Sequence, residues 1–301
     1  QKSPTYPQIN PPRFAGVFGS QATTAQHQEN DMNPLIQLIL GLALGAGISI
    51  LAWRAGALLP SGGWVAAVTG GLIFGLGGWS WAALLLAFFI SSSMLSRLFA
   101  RQKTAANEKF AKGSRRDWGQ VAANGGLGAV LAILHGVCPD QGWIWAAFAG
   151  TMAAVNADTW ATELGVLSPS APRLITTGKT VEGGTSGGIT PLGYLAVLLG
   201  SGLIALLAAS LEPAGGRGML AGIILLAGAA GSTCDSLLGA TRQAIYFCPS
   251  CQKETERSPV HGCGAATHWL RGWRWLNNDW VNFFCSLTGA VTASLLWLLF
   301  S

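Results

Sequence analysis

Charged side chains are scarce in this sequence. Lys and Arg number 18 and Asp and Glu 13, which makes 10% of its 301 residues, where a soluble protein carries roughly a quarter. So low a content argues against a water-soluble core with a solvated surface, and so apolar a chain does not suit nucleic acid. The Gly-x4-Gly-Lys spacing of a Walker loop is absent, which excludes that form of nucleotide site. Residues 1–32 lack the charged start and apolar middle of a secretory signal. With only Lys2 and Arg13 they also make a poor transit peptide. Polar, rich in Pro and Gln and without a helical apolar period, they are expected to be a disordered N-terminal segment.

Apolar length is abundant. Half the residues are hydrophobic and 41 are glycine, many inside runs such as "GLALGAG" and "GGLGAV", as expected where membrane helices pack through small residues. Runs near bilayer length are Pro34–Trp53, Val121–Val137, Gly142–Val155, Ile189–Leu211, Gly218–Leu238 and Val281–Phe300. Gly63–Ser96 is too long for one span and is best divided near "GLGGW" into two packed helices. The expectation is an all-α, polytopic membrane protein of six to eight helices, eight fitting best. A single membrane domain would occupy residues 33–301, with a Cys/His-containing loop at 241–280.

Cytoplasmic loops retain Lys and Arg. Seven of the 18 basic residues lie between Arg97 and Gln120, five between Thr241 and Trp280, and two between Asp158 and Gly188. With eight spans these loops share one face, joined by Arg54, and the opposite face has only "CPDQ" and "LEPAGGRG". The net charge of +5 therefore belongs to one cytoplasmic or equivalent face and suggests anionic lipid or phosphate partners.

Four polar segments on that face look like parts of a site. In "KGSRRDWGQVAANGG", Arg115 and Arg116 precede a helix that carries Asn124 into the membrane; the arginines also suit a positive-inside anchor, whereas the amide must find a partner. In "NADTWATELG", Asp158 and Glu163 are five apart and would point to different faces of a helix. Asn156 and Thr159 complete with Asp158 a set of hard oxygen donors suited to Mg²⁺. The segment 172–190, "PRLITTGKTVEGGTSGGIT", can turn backbone N–H groups toward an anion, with Arg173 and Lys179 for charge and threonines for hydroxyls. Finally, Asp235 lies in "GSTCDSLLGATRQ", and Asn277, Asn278, Asp279 and Asn282 open the last span. Asn278 and Asn282 share a helical face, and a helix cap explains only one of the four.

Six cysteines are present. Cys248 and Cys251 form a Cys-x2-Cys, followed by His261, Cys263 and then His268. Four of these suit structural Zn²⁺, although the second pair is not a standard finger spacing, and free thiols or a disulfide are the alternatives. Cys138, Cys234 and Cys285, at or within spans, read as small packing residues.

The motifs "SRRDWGQVAANGG", "NADTWATELG", "GKTVEGGTSGG", "GSTCDSLLGAT" and "NNDWVNFF", in that order over residues 35–301, resemble an integral-membrane family that includes the plant chloroplast phytyl-phosphate kinase and vertebrate transmembrane protein 19. "GKTVEGGTSGG" is also distantly similar to an element of dolichol kinase and phosphatidate cytidylyltransferase. The resemblance implies that Asp158 and Asp235 hold Mg²⁺. It implies a nucleotide-phosphate site of Arg173, Lys179, Thr180, Glu182, Gly183, Gly184, Thr185, Gly187 and Gly188, with Lys179 acting on the transferring group. Arg115, Arg116 and Asn124 would meet the acceptor phosphate, and Asn156, Glu163, Asn278, Asp279 and Asn282 would complete the polar site. Plant members do not keep the whole Cys/His set, which makes any zinc there structural.

The activity so implied is transfer of a phosphoryl group from a nucleoside triphosphate, CTP first, to an isoprenyl phosphate such as phytyl phosphate, a step of tocopherol biosynthesis. Alternatives are a prenol or dolichol-type lipid kinase, a lipid cytidylyltransferase and, in another class, an ion-coupled transporter. The host membrane would be a plasma or thylakoid-type membrane of a photosynthetic prokaryote, or a chloroplast envelope.

Overall fold

A computed structural model describes residues 33–99, 115–212 and 216–301. The expectation for residues 1–32 lies outside them. The helices begin where capping chemistry allows. Helix α1 is Pro34–Arg54 and α2 is Pro60–Leu98, each opening on proline, whose missing N–H costs nothing in a first turn. Helix α3, Trp118–Val137, starts from a capping box in which Asp117 accepts from the Gln120 N–H and the Gln120 side chain accepts from the Asp117 N–H. Then come α4, Gly142–Gly165; α5, Pro191–Ser210, capped by Thr190; α6, Arg217–Thr241; and α7, Asn278–Phe300, capped by Asn277.

Six of these, all but α4, are long and apolar enough to cross a membrane. The chain is a multi-pass integral membrane protein. Helix α2 is two helices in effect. At Gly78 the backbone takes φ 78° and ψ −163°, open to glycine and strained for other residues. The halves fold back on one another: a Cβ placed on Gly70 would lie 3.8 Å from Leu85 Cδ2, and the Phe74 and Trp79 rings meet edge-on at 4.5 Å. The division expected near "GLGGW" is therefore present, and counting the halves separately gives eight helical rods among the described residues.

Helix α4 departs from expectation. The apolar run read as Gly142–Val155 continues unbroken to Gly165, so its acids lie within the helix and do not follow it. The helix can carry them because it is the axis of the bundle, packed against α2, α3, α5, α6 and α7, with its stretch from Ala146 to Ala157 buried. A helix enclosed by protein need not satisfy lipid, and polar groups in membrane spans face the interior for that reason.

Two small antiparallel sheets, absent from the all-α expectation, sit in the loops of the polar face. Strands β1, Arg173–Leu174, and β2, Gly188–Ile189, pair as a hairpin. In the loop after α6, β3, Ile245–Cys248, lies between β4, Lys253–Thr255, and β5, His268–Arg271.

Candidate functional site

A polar cavity of about 610 Å³ opens where the loops of this face meet α3 to α7. Its floor is set by a glycine crossing. Gly231 of α6 faces Ala154 of α4 so closely that a methyl group built on the glycine would overlap the alanine Cβ. Asp235 and Asp158 each lie four residues further on, one turn up the same helical faces. One carboxylate oxygen from each, together with the Cys285 thiol of α7, lies within 4.8 Å of the others. Ser232 donates to Asp158 Oδ1 at 3.3 Å, whereas Asp235 Oδ2 is buried without a hydrogen-bond partner. The acids stand six and seven residues before their helix ends, about 10 Å below the rim at 1.5 Å per residue. They are recessed below the helix ends.

Glu163 lines the same cavity but not the pair. Its carboxylate accepts from Ser96 Oγ at 2.7 Å and attracts the Arg116 guanidinium, which also lies over the Phe88 and Phe89 rings at 5.3 and 5.4 Å. Burial pushes Arg116 down to about 10, opposed by Glu163, so it is a cation at neutral pH. Arg116, Asn124, Asn278 and Asn282 all line the cavity.

The glycine-rich segment divides in two. Glu182, Gly183, Gly184, Thr185, Gly187 and Gly188 line the cavity, and Gly187, at φ +79°, approaches Ala240 so closely that a Cβ would lie 2.5 Å from that residue's N–H nitrogen. Arg173, Lys179 and Thr180 do not line it. They form the exposed hairpin end, where Arg173 Nη1 donates to the Gly178 carbonyl at 3.0 Å. The reason is a tight turn: Arg173 bridges Thr180 in antiparallel fashion, the Leu174 N–H donates to the Lys179 carbonyl and the Gly178 N–H to the Leu174 carbonyl, both at 2.8 Å, which holds Lys179 away from the wall.

Four other expectations need correction. Asn156 is fully buried, accepts from Ser91 Oγ at 3.0 Å and donates to the Gly200 carbonyl at 2.7 Å, so its amide pins helices and does not line the cavity. Arg115 donates to the Leu58 carbonyl at 3.1 Å, away from the cavity wall. Asp279 also stands outside the wall, beside Asn277, which caps α7 by accepting from the Asp279 and Trp280 N–H groups. Cys285, read as packing alone, brings its thiol to the acidic pair.

The sequence reading missed Ser96, Gln120, Tyr194, Gln243, Lys253 and Glu256, all on the cavity wall. Gln120 and Gln243 lie inside quoted motifs and Ser96 ends the long apolar run, so all three were within reach. Lys253 and Glu256 were not, because they come from the Cys/His loop. Glu256 accepts from Ser186 Oγ and from Gln243 Nε2, both at 2.8 Å, joining that loop to the glycine turn over the carboxylate pair. Arg116 and Lys253 are the basic side chains lining the cavity among the described residues.

Within that loop Cys248, Cys251, His261 and Cys263 converge. Cys248 Sγ and Cys263 Sγ are 3.6 Å apart, Cys251 Sγ and His261 Nδ1 3.6 Å, and His261 Nδ1 and Cys263 Sγ 3.3 Å. Ligands 2.3 Å from zinc at tetrahedral angles stand about 3.7 Å apart, so the set fits that ion. The hydrogen bond with His261 draws the Cys263 thiol down to about 6, while that with Cys263 pushes Cys251 up to about 11. All six cysteines are free of disulfides, and His268, exposed on β5, stands outside the cluster.

Residues 43–290 match the family described as "Integral membrane protein DUF92". Protein PGR of Arabidopsis thaliana is 32% identical over 293 residues, covering 88% of this chain and 98% of that protein. An uncharacterized membrane protein of Methanocaldococcus jannaschii is 30% identical over 269 residues, covering 88% and 97%. A third, from Synechocystis, is 29% identical over 244 residues, covering 78% and 81%. No solved structure matches.

Proposed function

The chain belongs to the integral membrane family DUF92, and from that membership and its cavity we propose a metal-dependent membrane phosphotransferase that passes the γ-phosphoryl group of CTP, or of another nucleoside triphosphate, to an isoprenyl monophosphate such as phytyl phosphate. The observation that carries this reading is the Asp158–Asp235 pair at the floor of a polar cavity at one membrane face. A buried carboxylate oxygen without a partner, beside a second carboxylate, is a donor set that fits Mg²⁺. Bound by Asp158 and Asp235, the ion would offset phosphate charge.

The chain's own residues supply the rest. Ser232 fixes the Asp158 carboxylate. Arg116, seated over the Phe88 and Phe89 rings, binds the acceptor phosphate, and Lys253 and the turn at 183–188 bind the donor phosphates. An acceptor oxygen forms a bond to the γ-phosphorus as the β–γ bridge breaks, and the nucleoside diphosphate leaves with the electron pair. The acceptor is already an anion, so alignment and charge compensation dominate and no strong base is required. The exposed Lys179 has no part in this reading, and Arg116 and Lys253 take the role that the resemblance gave it. Cys248, Cys251, His261 and Cys263 would hold a structural zinc ion, which would brace the loop that carries Glu256 over the site.

The test is incubation of the purified chain in lipid with γ-labelled CTP or ATP, Mg²⁺ and phytyl phosphate. Label in a prenyl diphosphate, lost on Asp158→Asn and Asp235→Asn, is the expected result. Pyrophosphate release with CMP attached to lipid would replace it with a cytidylyltransferase. An ion-coupled carrier fits less well, because its binding residues lie near the midplane, whereas here they gather at one end of the helices.

A further inference from the structure

Beside the polar cavity lies a second, chemically opposite space. A slot of about 120 Å³ runs between α1, both halves of α2 and α3. It exists because small residues face it from all four rods: Gly45, Ala66, Gly70, Ala82 and Gly125. Its two hydroxyls are already spent. Thr69 Oγ1 donates to the Val65 carbonyl at 2.8 Å, and Ser49 Oγ donates to the Gly63 carbonyl at 2.5 Å. The lumen is therefore hydrocarbon in character.

The slot and the polar cavity share three wall residues, Arg116, Gln120 and Asn124. Arg116 is the junction: its guanidinium reaches toward Glu163 in the cavity while Phe88 and Phe89, beneath it, line the slot. From that junction the slot follows α1 back from Ala52 to Leu44 and α2 from Phe89 to Trp79, about 12–15 Å at 1.5 Å per residue. It reaches the point where Phe74 and Trp79 meet. A cation at the mouth of a narrow apolar slot is the arrangement that a single-chain lipid phosphate fits, with the head on the arginine and the chain below it.

We propose that this slot is the binding site for the hydrocarbon chain of the acceptor, and that Gly70 and Ala82 set the chain it admits. The proposal rests on the reading that the acceptor is a lipid phosphate whose head enters the polar cavity. It adds a place for the chain, between α1 and α2 and not on the lipid-facing surface, and it makes Arg116 the point at which polar and apolar recognition meet.

Gly70 offers a clean perturbation, since a Cβ there meets only Leu85 Cδ2, at 3.8 Å, and a larger side chain would extend into the lumen. The experiment uses the full chain in nanodiscs and a prenyl monophosphate with a mid-chain diazirine. After irradiation, labelled residues are mapped by mass spectrometry. Label on slot-lining residues such as Gly45, Ala66, Gly70 and Ala82, displaced by unlabelled prenyl phosphate, is expected, and Gly70→Leu should lower it at least tenfold. Label confined to outward residues such as Leu35, Ile39 and Leu206, or unmoved by competitor, overturns the proposal. A second arm compares kcat/KM for a five-carbon and a twenty-carbon prenyl monophosphate. Gly70→Leu should lower the long-to-short ratio at least tenfold, and an unchanged ratio overturns the proposal. If no acceptor is phosphorylated by the unaltered chain while the label maps to the slot, the phosphotransferase reading fails and the chain site stands.

Discussion

Replacing Gly231 with alanine should separate the two carboxylates on which the site depends. The added methyl would overlap Ala154 Cβ and come within 2.8 Å of the Cys285 carbonyl oxygen, so neither neighbour can yield by a rotamer change. Carbon atoms rest about 3.5–4.0 Å apart, and relief therefore requires α6 to move from α4 by ~1 Å. Asp158 and Asp235, one turn above that contact and now with oxygens within 4.8 Å of one another, would part by a similar amount. Overpacking of this kind costs about 1–3 kcal/mol, and a 1 Å displacement in a positioned site costs about a hundredfold in rate. The assay is Mg²⁺-dependent phosphoryl transfer, with thermal unfolding in the same lipid. Gly222→Ala is the matched control on the same helix, where a Cβ would meet nothing within 4 Å and helix propensity favours alanine by up to about 1 kcal/mol. If Gly231→Ala keeps the activity and midpoint of Gly222→Ala, the crossing does not set the carboxylate geometry and the argument is refuted.

Three further outcomes follow from the same geometry. Cys248→Ser or Cys263→Ser should reduce bound zinc from one per chain to a trace by elemental analysis and raise the donor KM, because Glu256 loses its anchorage; zinc-free protein with unchanged kinetics would separate the cluster from the site. Arg116→Gln should raise the acceptor KM about ten- to a hundredfold, the range of a charged hydrogen bond of about 1.5–3 kcal/mol, with the donor KM little changed, as steady-state kinetics would show. Asn156→Ala should destabilise the bundle by about 1–3 kcal/mol, since the Gly200 carbonyl and Ser91 hydroxyl lose their partner; a shifted Mg²⁺ dependence at unchanged stability would instead restore Asn156 as a ligand.

Much of this arrangement was legible in the sequence, and the exceptions share a cause. Run length located the helices, because bilayer thickness acts locally along the chain, and the polar segments that stand out in the sequence share one end of the bundle. The division near Gly78 was legible because no single helix needs so long an apolar run. Asp158, Asp235, Asn278 and Asn282 were legible as polar groups where lipid would forbid them. What failed was direction. Nothing in "NADTW" distinguishes an amide that pins two helices from a carboxylate that faces a cavity, and nothing in "GKTVEGG" says that a turn closed by Arg173 and Thr180 will hold Lys179 outward. Glu256 was illegible for a stronger reason: its partners, Ser186 and Gln243, stand 70 and 13 residues away in the chain, and the loop that carries it folds round the converging Cys248, Cys251, His261 and Cys263.

The turn at Gly78 has a consequence for compartments. Arg116 and Leu58 are joined through their backbones, with the Arg116 N–H donating to the Ala57 carbonyl and the Leu59 N–H donating to the Arg116 carbonyl. Those two loops can touch only if the chain between them crosses the bilayer an even number of times. Were residues 60–98 a single traverse, parity would change and the loops would open into different aqueous phases. One glycine thus decides that the segments at 57–59 and 115–117, which flank the longest apolar run, open into the same aqueous phase and can build one wall together.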